Sequence, residues 1–376
     1  MRSEKYDAYF DVDEDYFPTI SDSSIKKGEE SDPDFWMRTY PHATFIDALK
    51  KLERILNRVD KKSLWLEGAY GSGKSQCAYA LRRILEVPQE KLVQYWEKYD
   101  ALKQEKDLLQ KLIGCKERGV LTVYRSSSSE IRDNRKLFFA VQESVLNALK
   151  AKNCKCLGNS TLRDSVVAWL SKDAQKAMFD ALLKGKYSSF PYRSTDEVLE
   201  RLRGGGDVGD LVGKILTIGD AEGITAFELT VDDLCDWLKD VIAANELQIV
   251  FIWDEFSEYF INNRNSLTSF QRLVELNAET PFFIVPITHE SGAYFAPSQD
   301  SNWKKIRDRF LPVEIKLPDS VAFELISCAL TVRDGMNDRW SEMAEDLNSR
   351  LGSSRRGVAS LVRVDERTMK SIISKI

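Results

Sequence analysis

Short, mostly apolar runs alternate along the chain with longer segments in which apolar residues recur every third or fourth position. The short runs, at Leu64–Leu66, Val120–Tyr124, Leu247–Trp253, Phe282–Ile287 and Pro312–Lys316, have strand length. A strand that is apolar on both faces suits the centre of a parallel sheet, whose two surfaces are both covered. Helical spacing is expected over about Thr44–Val59, where Phe45, Leu49, Leu52 and Leu56 share one face, and over Gln76–Leu85. A Lys/Glu-rich helical stretch over about Gln89–Glu117 turns Leu92, Trp96, Leu102 and Leu109 inward. Further helices are expected over about Asn134–Lys152, Ser266–Asn277 and Asn302–Arg309. Strands alternating with helices predict an α/β fold of three layers, with a parallel central sheet between two helical layers.

The pattern divides the 376 residues into five stretches. Residues 1–39 form an acidic N-terminal arm, and its first 34 residues hold eleven Asp/Glu against four Lys/Arg, interspersed with Tyr6, Tyr9, Phe10, Tyr16 and Phe17. Such a composition suits a partly ordered terminal arm, or an arm docked on a partner. Residues 40–152 and 231–318 are the two parts of the sheet domain. Between them, 153–230 reads as a mostly helical insertion broken at Pro191 and at the linker Gly204-Gly205-Gly206. Helical pattern dominates from Ser320, so 319–376 is expected to be a helical lid or the start of a further domain.

The first strand run leads into Gly68-Ala69-Tyr70-Gly71-Ser72-Gly73-Lys74-Ser75, followed at Gln76 by a helix. Glycines at these positions let the backbone curl so that its N–H groups hold phosphate oxygens at a helix N-terminus. Lys74 would reach the β- and γ-phosphates, and the Ser75 hydroxyl would ligate Mg2+. The run Leu247–Trp253 ends in Asp254-Glu255. At the carboxyl end of a central strand, Asp254 would hold the metal's water shell and Glu255 would deprotonate the attacking water. The expected ligands are therefore ATP and Mg2+. The strand Phe282–Ile287 ends at Thr288-His289-Glu290. If this strand lies between the other two, Thr288 or His289 would meet the γ-phosphate or the attacking water. Arg307 and Arg309 precede the last strand, and one of them would serve as an arginine presented to a neighbouring subunit's γ-phosphate. The bland alternative is a basic surface helix whose arginines pair locally with Asp308 and Glu314.

Net charge of −5 gives no general pull toward nucleic acid, so any such contact must be local. Two local clusters exist, Arg132, Arg135, Lys136, Lys150, Lys152 and Lys155 around one helix, and Lys304, Lys305, Arg307 and Arg309 around another. The six cysteines, Cys77, Cys115, Cys154, Cys156, Cys235 and Cys328, show no paired metal-binding spacing and read as reduced cytosolic thiols. No basic-then-apolar leader and no membrane-length apolar run is present, so a cytoplasmic protein without a membrane partner is expected.

The order of GAYGSGKS, IVFIWDE, FFIVPITHE and IRDRFLPVEIKLP resembles the AAA+ branch of P-loop ATPases over about residues 40–318. The resemblance implies a three-layer P-loop NTPase with a helical insertion and a C-terminal helical lid. It places Lys74 and Ser75 in the phosphate loop, Asp254 and Glu255 at the metal and catalytic acids, Thr288 at the first sensor, and Arg307 or Arg309 at the finger. Arg355 or Arg356 falls near the second sensor. The first sensor of that family is most often Asn, and the 153–230 insertion exceeds a minimal core. Both departures, with WDEFSEYF, are similar to the large bacterial anti-phage defence ATPases of the BREX type. In those the ATPase is an N-terminal piece of a longer chain, which leaves room for this chain being such a piece.

The function implied is an oligomerising ATP-hydrolysing switch or motor that remodels DNA or a partner protein of a defence complex. Two alternatives are a nucleotide-gated scaffold with slow hydrolysis, against which Glu255 argues, and a small-molecule phosphotransferase, which would carry an Arg-rich lid. No N-K-x-D segment follows the strand at 282–287, so guanine specificity is not expected.

Overall fold

The computed structural model describes residues 9–12, 32–129, 131–156, 162–204, 208–224, 230–263, 267–289, 305–316 and 330–350. Its centre is a five-stranded sheet of β2 (Ser63–Glu67), β3 (Val120–Arg125), β4 (Gln248–Trp253), β5 (Phe282–Thr288) and β6 (Phe310–Glu314), following a short β1 (Phe10–Val12). The strand order is β3-β4-β5-β2-β6, and every pairing is parallel. β5 therefore lies between β2 and β4. The last strand is shifted two residues from its expected position, because Phe310–Glu314 is the stretch in register with Ser63–Glu67. Pro312, which lacks an amide donor, is accommodated because β6 is an edge strand.

Alternate residues of each strand feed two separate cores, as a sheet with both faces covered requires. On one face, Leu64, Leu66, Val250, Ile252, Phe283 and Val285 pack with α1 (Ala43–Leu56), α2 (Lys74–Glu86), α3 (Gln89–Lys98), the one-turn α4 (Asp100–Lys103) and α5 (Lys106–Glu117). On the other, Trp65, Phe251, Trp253 and Ile284 pack with α6 (Asn134–Ala151). The helical stretch expected over 89–117 is divided into three helices, α3, α4 and α5. Tyr99 breaks it by turning extended so that its hydroxyl reaches the Met37 carbonyl, and the Trp96 indole donates to the Glu105 carbonyl across the bend.

The insertion contributes α7 (Leu162–Leu170), α8 (Asp173–Lys184), α9 (Thr195–Arg203) and α10 (Gly209–Ala221). Val166, Phe179, Val198, Val212 and Ile215 give these helices a core of their own, joined to the sheet domain through Phe139 of α6. The second core is completed by α11 (Val231–Asn245), α12 (Ser257–Asn263) and α13 (Thr268–Glu275). Beyond β6, β7 (Leu330–Val332) precedes α14 (Asn337–Arg350), so the stretch expected to be helical from residue 320 contains a strand. That strand exists because it has a partner at the far end of the sequence. β1 pairs with it antiparallel, the Phe10 and Trp340 rings meet edge-on at 4.6 Å, and Arg333 bonds Asp11 at 2.9 Å. At least this part of the acidic arm is docked.

His42 caps α1, its imidazole accepting from the Phe45 amide at 3.3 Å while the Thr44 hydroxyl lies 2.8 Å from the same nitrogen. Burial pushes its pKa from the ordinary 6.5 down to about 4. The neutral ring is the form the fold holds. Between those two values the unfolded chain binds a proton that the folded chain refuses, so stability falls as pH drops from 6.5 toward 4. The loss attributable to this ring is about 3 kcal/mol when complete. Urea unfolding at pH 7 and at pH 4.5 should show a shallower pH dependence in His42→Asn, which keeps a capping side chain, than in the natural chain. Equal slopes would remove His42 from this role.

Candidate active site

The carboxyl ends of β2, β5 and β4 lie side by side, and the loop after β2 sits above them. Gly71 and Gly73 have φ of +75° and +85°, the left-handed region that glycine enters without a Cβ penalty. Gly68 is constrained differently. A Cβ there would lie 2.6 Å from the Ile315 carbonyl oxygen and 2.8 Å from Ser72 Oγ. The Ser72 amide donates to the Ala69 carbonyl at 3.2 Å, and the buried Ser72 hydroxyl has no hydrogen-bond partner among the described residues. Gly73 occupies the cap position of α2, which brings the first free amides of that helix to the loop. Tyr70 stands out from the loop, 90% exposed, with its ring 5.6 Å from that of His289.

Lys74 begins α2, is only 5% exposed, and donates from Nζ to the Ala69 carbonyl at 2.7 Å. Burial lowers its pKa, and the nearby carboxylates of Asp254 and Glu255 oppose the shift. The Ser75 hydroxyl faces the Asp254 carboxylate and helps hold its pKa down. The Gln76 side chain donates to Thr39 Oγ1 at 2.6 Å.

Asp254 follows β4 and is also 5% exposed. Burial raises its pKa, while hydrogen bonds from Ser75, the Glu255 amide (2.9 Å) and Tyr124 Oη (3.2 Å) hold it down. Glu255 adopts φ of +56°, a conformation that costs a non-glycine residue about 1–2 kcal/mol. Three bonds hold the turn, the Glu255 amide to Asp254 Oδ1, the Ser128 hydroxyl to the Glu255 carbonyl at 2.7 Å, and the Phe256 amide to the Ile287 carbonyl at 3.1 Å. The Glu255 side chain is half exposed, and one oxygen lies 3.6 Å from His289 Nε2.

At the end of β5 the two sensing candidates separate. Thr288 is fully buried, and its hydroxyl accepts from the Trp65 indole N–H at 3.0 Å on the face of the sheet opposite α2. His289, with its amide donating to Ser257 Oγ at 3.1 Å, is the one that faces Glu255. Its Nδ1 is buried without a partner among the described residues.

The arginines lie elsewhere. The Arg309 carbonyl accepts from the Ser63 amide at the start of β2, so Arg309 sits at the amino edge, about 13 Å of strand away from the loop. Its guanidinium pairs with Glu275 at 3.1 Å rather than with Asp308 or Glu314, and Glu314 pairs with Lys316. Arg307, two residues earlier, is exposed on the same side. Arg355 and Arg356 lie outside the described residues, as does Lys304. Within the other basic cluster, Lys155 is tied to α11 through Asn245 and the Ala244 carbonyl.

Against known protein families, curated proteins and solved structures, the chain has no match.

No group of three or more His, Cys, Asp or Glu side chains forms a metal site among the described residues. A Mg2+ ion does not need one, since it keeps waters and takes substrate phosphates beside one or two protein oxygens. The Ser75 hydroxyl against the buried Asp254 carboxylate is a donor set of that kind.

Sequence reading passed over Tyr124, Ser128 and Trp65, each of which fixes one of the candidate residues. Only Tyr124 left a signal, as a polar-tipped residue at the carboxyl end of an otherwise apolar strand. Gly68→Ala should lower thermal stability by about 1–3 kcal/mol through overpacking against the Ile315 carbonyl. Gly71→Ala, with nothing within 4 Å, should cost only the positive-φ penalty of about 1 kcal/mol. Melting curves showing Gly71→Ala as the more damaging of the two would contradict this assignment.

Proposed function

We propose that the chain binds and hydrolyses ATP at this edge of the sheet, as an AAA+-like switch or motor. The observation that carries the reading is the meeting of Lys74, Ser75, Asp254 and Glu255 beneath a glycine loop that opens a helix. The phosphates of ATP would lie in the loop, with the Lys74 ammonium exchanging the Ala69 carbonyl for phosphate oxygens. Ser75 and Asp254 would hold Mg2+, which supplies charge neutralisation on the phosphates. Glu255 accepts a proton as water attacks the γ-phosphorus. The bond from that phosphorus to the β,γ-bridging oxygen breaks, and ADP and phosphate leave. His289, beside Glu255, orients the water or a γ-oxygen, a task for which the Thr288 hydroxyl is poorly turned.

A finger arginine would come from a second copy, since both candidates lie at the far edge of their own sheet. Arg309 is committed to Glu275, so Arg307 is the residue assigned to it. Coupling of hydrolysis to remodelling of DNA or a protein partner, in a cytoplasmic anti-phage defence complex, rests on the AAA+ and BREX-type resemblance of the sequence. Among the described residues no helix is long and apolar enough to cross a membrane.

Lys74→Ala should abolish ATP binding in calorimetry. Glu255→Gln should bind ATP normally and turn it over at least about tenfold more slowly. Unchanged affinity in the first, or natural turnover in the second, would overturn the respective assignment. Mixing Arg307→Ala with Lys74→Ala protein should restore activity that neither has alone, and a dead mixture would count against a finger acting between copies.

A further inference from the structure

The glutamate assigned as general base sits in a backbone conformation that its residue type resists, and one buried hydroxyl is bonded to it. Ser128 is fully buried in the loop after β3. Its oxygen accepts from the Tyr259 amide at 3.1 Å, which leaves its single proton directed at the Glu255 carbonyl, 2.7 Å away. The serine is itself fixed. Its carbonyl accepts from the Ile131 amide at 3.1 Å, and the neighbouring Ser127 carbonyl accepts from the Trp253 indole and the Arg125 guanidinium, both at 3.0 Å. The other two bonds on the turn reach only backbone amides, those of Glu255 and Phe256. Among the described residues, Ser128 is the side chain that donates to the Glu255 carbonyl.

We propose that Ser128 is a positioning residue, whose hydroxyl holds Glu255 at positive φ and thereby keeps its carboxylate in the cleft beside His289. The proposal rests on the reading of Glu255 as the base. Glycine would adopt the turn freely but would carry no carboxylate, so an external hold replaces conformational freedom. Without the hydroxyl, the 255–256 peptide is held only by the Phe256 amide on the Ile287 carbonyl, Glu255 relaxes to negative φ, and its side chain leaves the 3.6 Å approach to His289.

The test combines kinetics with a structure. Ser128→Ala should lower kcat about tenfold or more while ATP affinity stays within about twofold, and Ser128→Thr, which keeps the hydroxyl, should retain most of the rate. In a Glu255→Gln background, Ser128→Ala should cause no further loss, since both changes remove the same contribution. A crystal structure of Ser128→Ala should show Glu255 at negative φ. Glu255 still at positive φ, or an undiminished loss in the Glu255→Gln background, overturns the proposal. If Ser128→Ala does not fold, Ser128→Cys, near in size but a weak donor, carries the same measurements. Natural turnover in Glu255→Gln would instead overturn the base assignment, while the φ measurement still decides whether Ser128 holds the turn.

Discussion

The placement of β5 between β2 and β4 governs everything at the carboxyl edge. Adjacent strands lie about 4.8 Å apart, so the ends of β2 and β4 are separated by roughly 10 Å. A residue at the end of β2 cannot touch one at the end of β4 directly. The loop after β2 must arch over the end of β5 before α2 begins, and this delivers Ser75 to Asp254. The same arch leaves His289 beneath Tyr70 and beside Glu255. Were β2 and β4 neighbours, the loop would have no strand end to span and no polar residue beneath it.

Two charges are buried there with little protein around them to solvate them. Isolated, each would cost several kcal/mol, and each pKa is accordingly driven toward the neutral form. Each shift is opposed by its own neighbours. Asp254 and Glu255 act on the Lys74 ammonium, and three donors fill the Asp254 carboxylate. The arrangement still leaves polar capacity unspent, in the Ser72 hydroxyl and in Nδ1 of His289, both buried and without partners among the described residues. Buried polar atoms are usually paired, and a polar ligand would satisfy these two.

What the sequence disclosed was mostly local. The glycine loop, the acidic pair and the apolar strands each lie within about a dozen residues, and they could be read from spacing alone. What it concealed joins distant positions. Trp65 reaches Thr288 across 223 residues, Tyr124 reaches Asp254 across 130, and Ser128 reaches Glu255 across 127. No periodicity records such pairs. The same limit hid β7, three residues within a stretch of mainly helical pattern that are extended because β1 pairs with them from the other end of the chain. It also hid the partner of Arg309. Asp308 and Glu314 are near in sequence, but the strand register turns the guanidinium toward Glu275 instead.

Local rules and global structure disagree at few places in the described chain, and the disagreements are unevenly spread. Four non-glycine residues have positive φ, Arg58, Asn153, Glu246 and Glu255. Glu246 closes the end of α11 and Asn153 follows the end of α6, where left-handed residues commonly end helices. Arg58 follows α1, and its guanidinium is anchored on the Asn277 and Thr280 carbonyls. Glu255 has neither excuse. It follows a strand rather than a helix, and its side chain is half exposed, with His289 Nε2 3.6 Å away. A sequence free to relax would place Gly or Asn there. That a carboxylate stands at this turn, with its backbone held from three sides, is what a side chain selected for its chemistry rather than its conformation looks like.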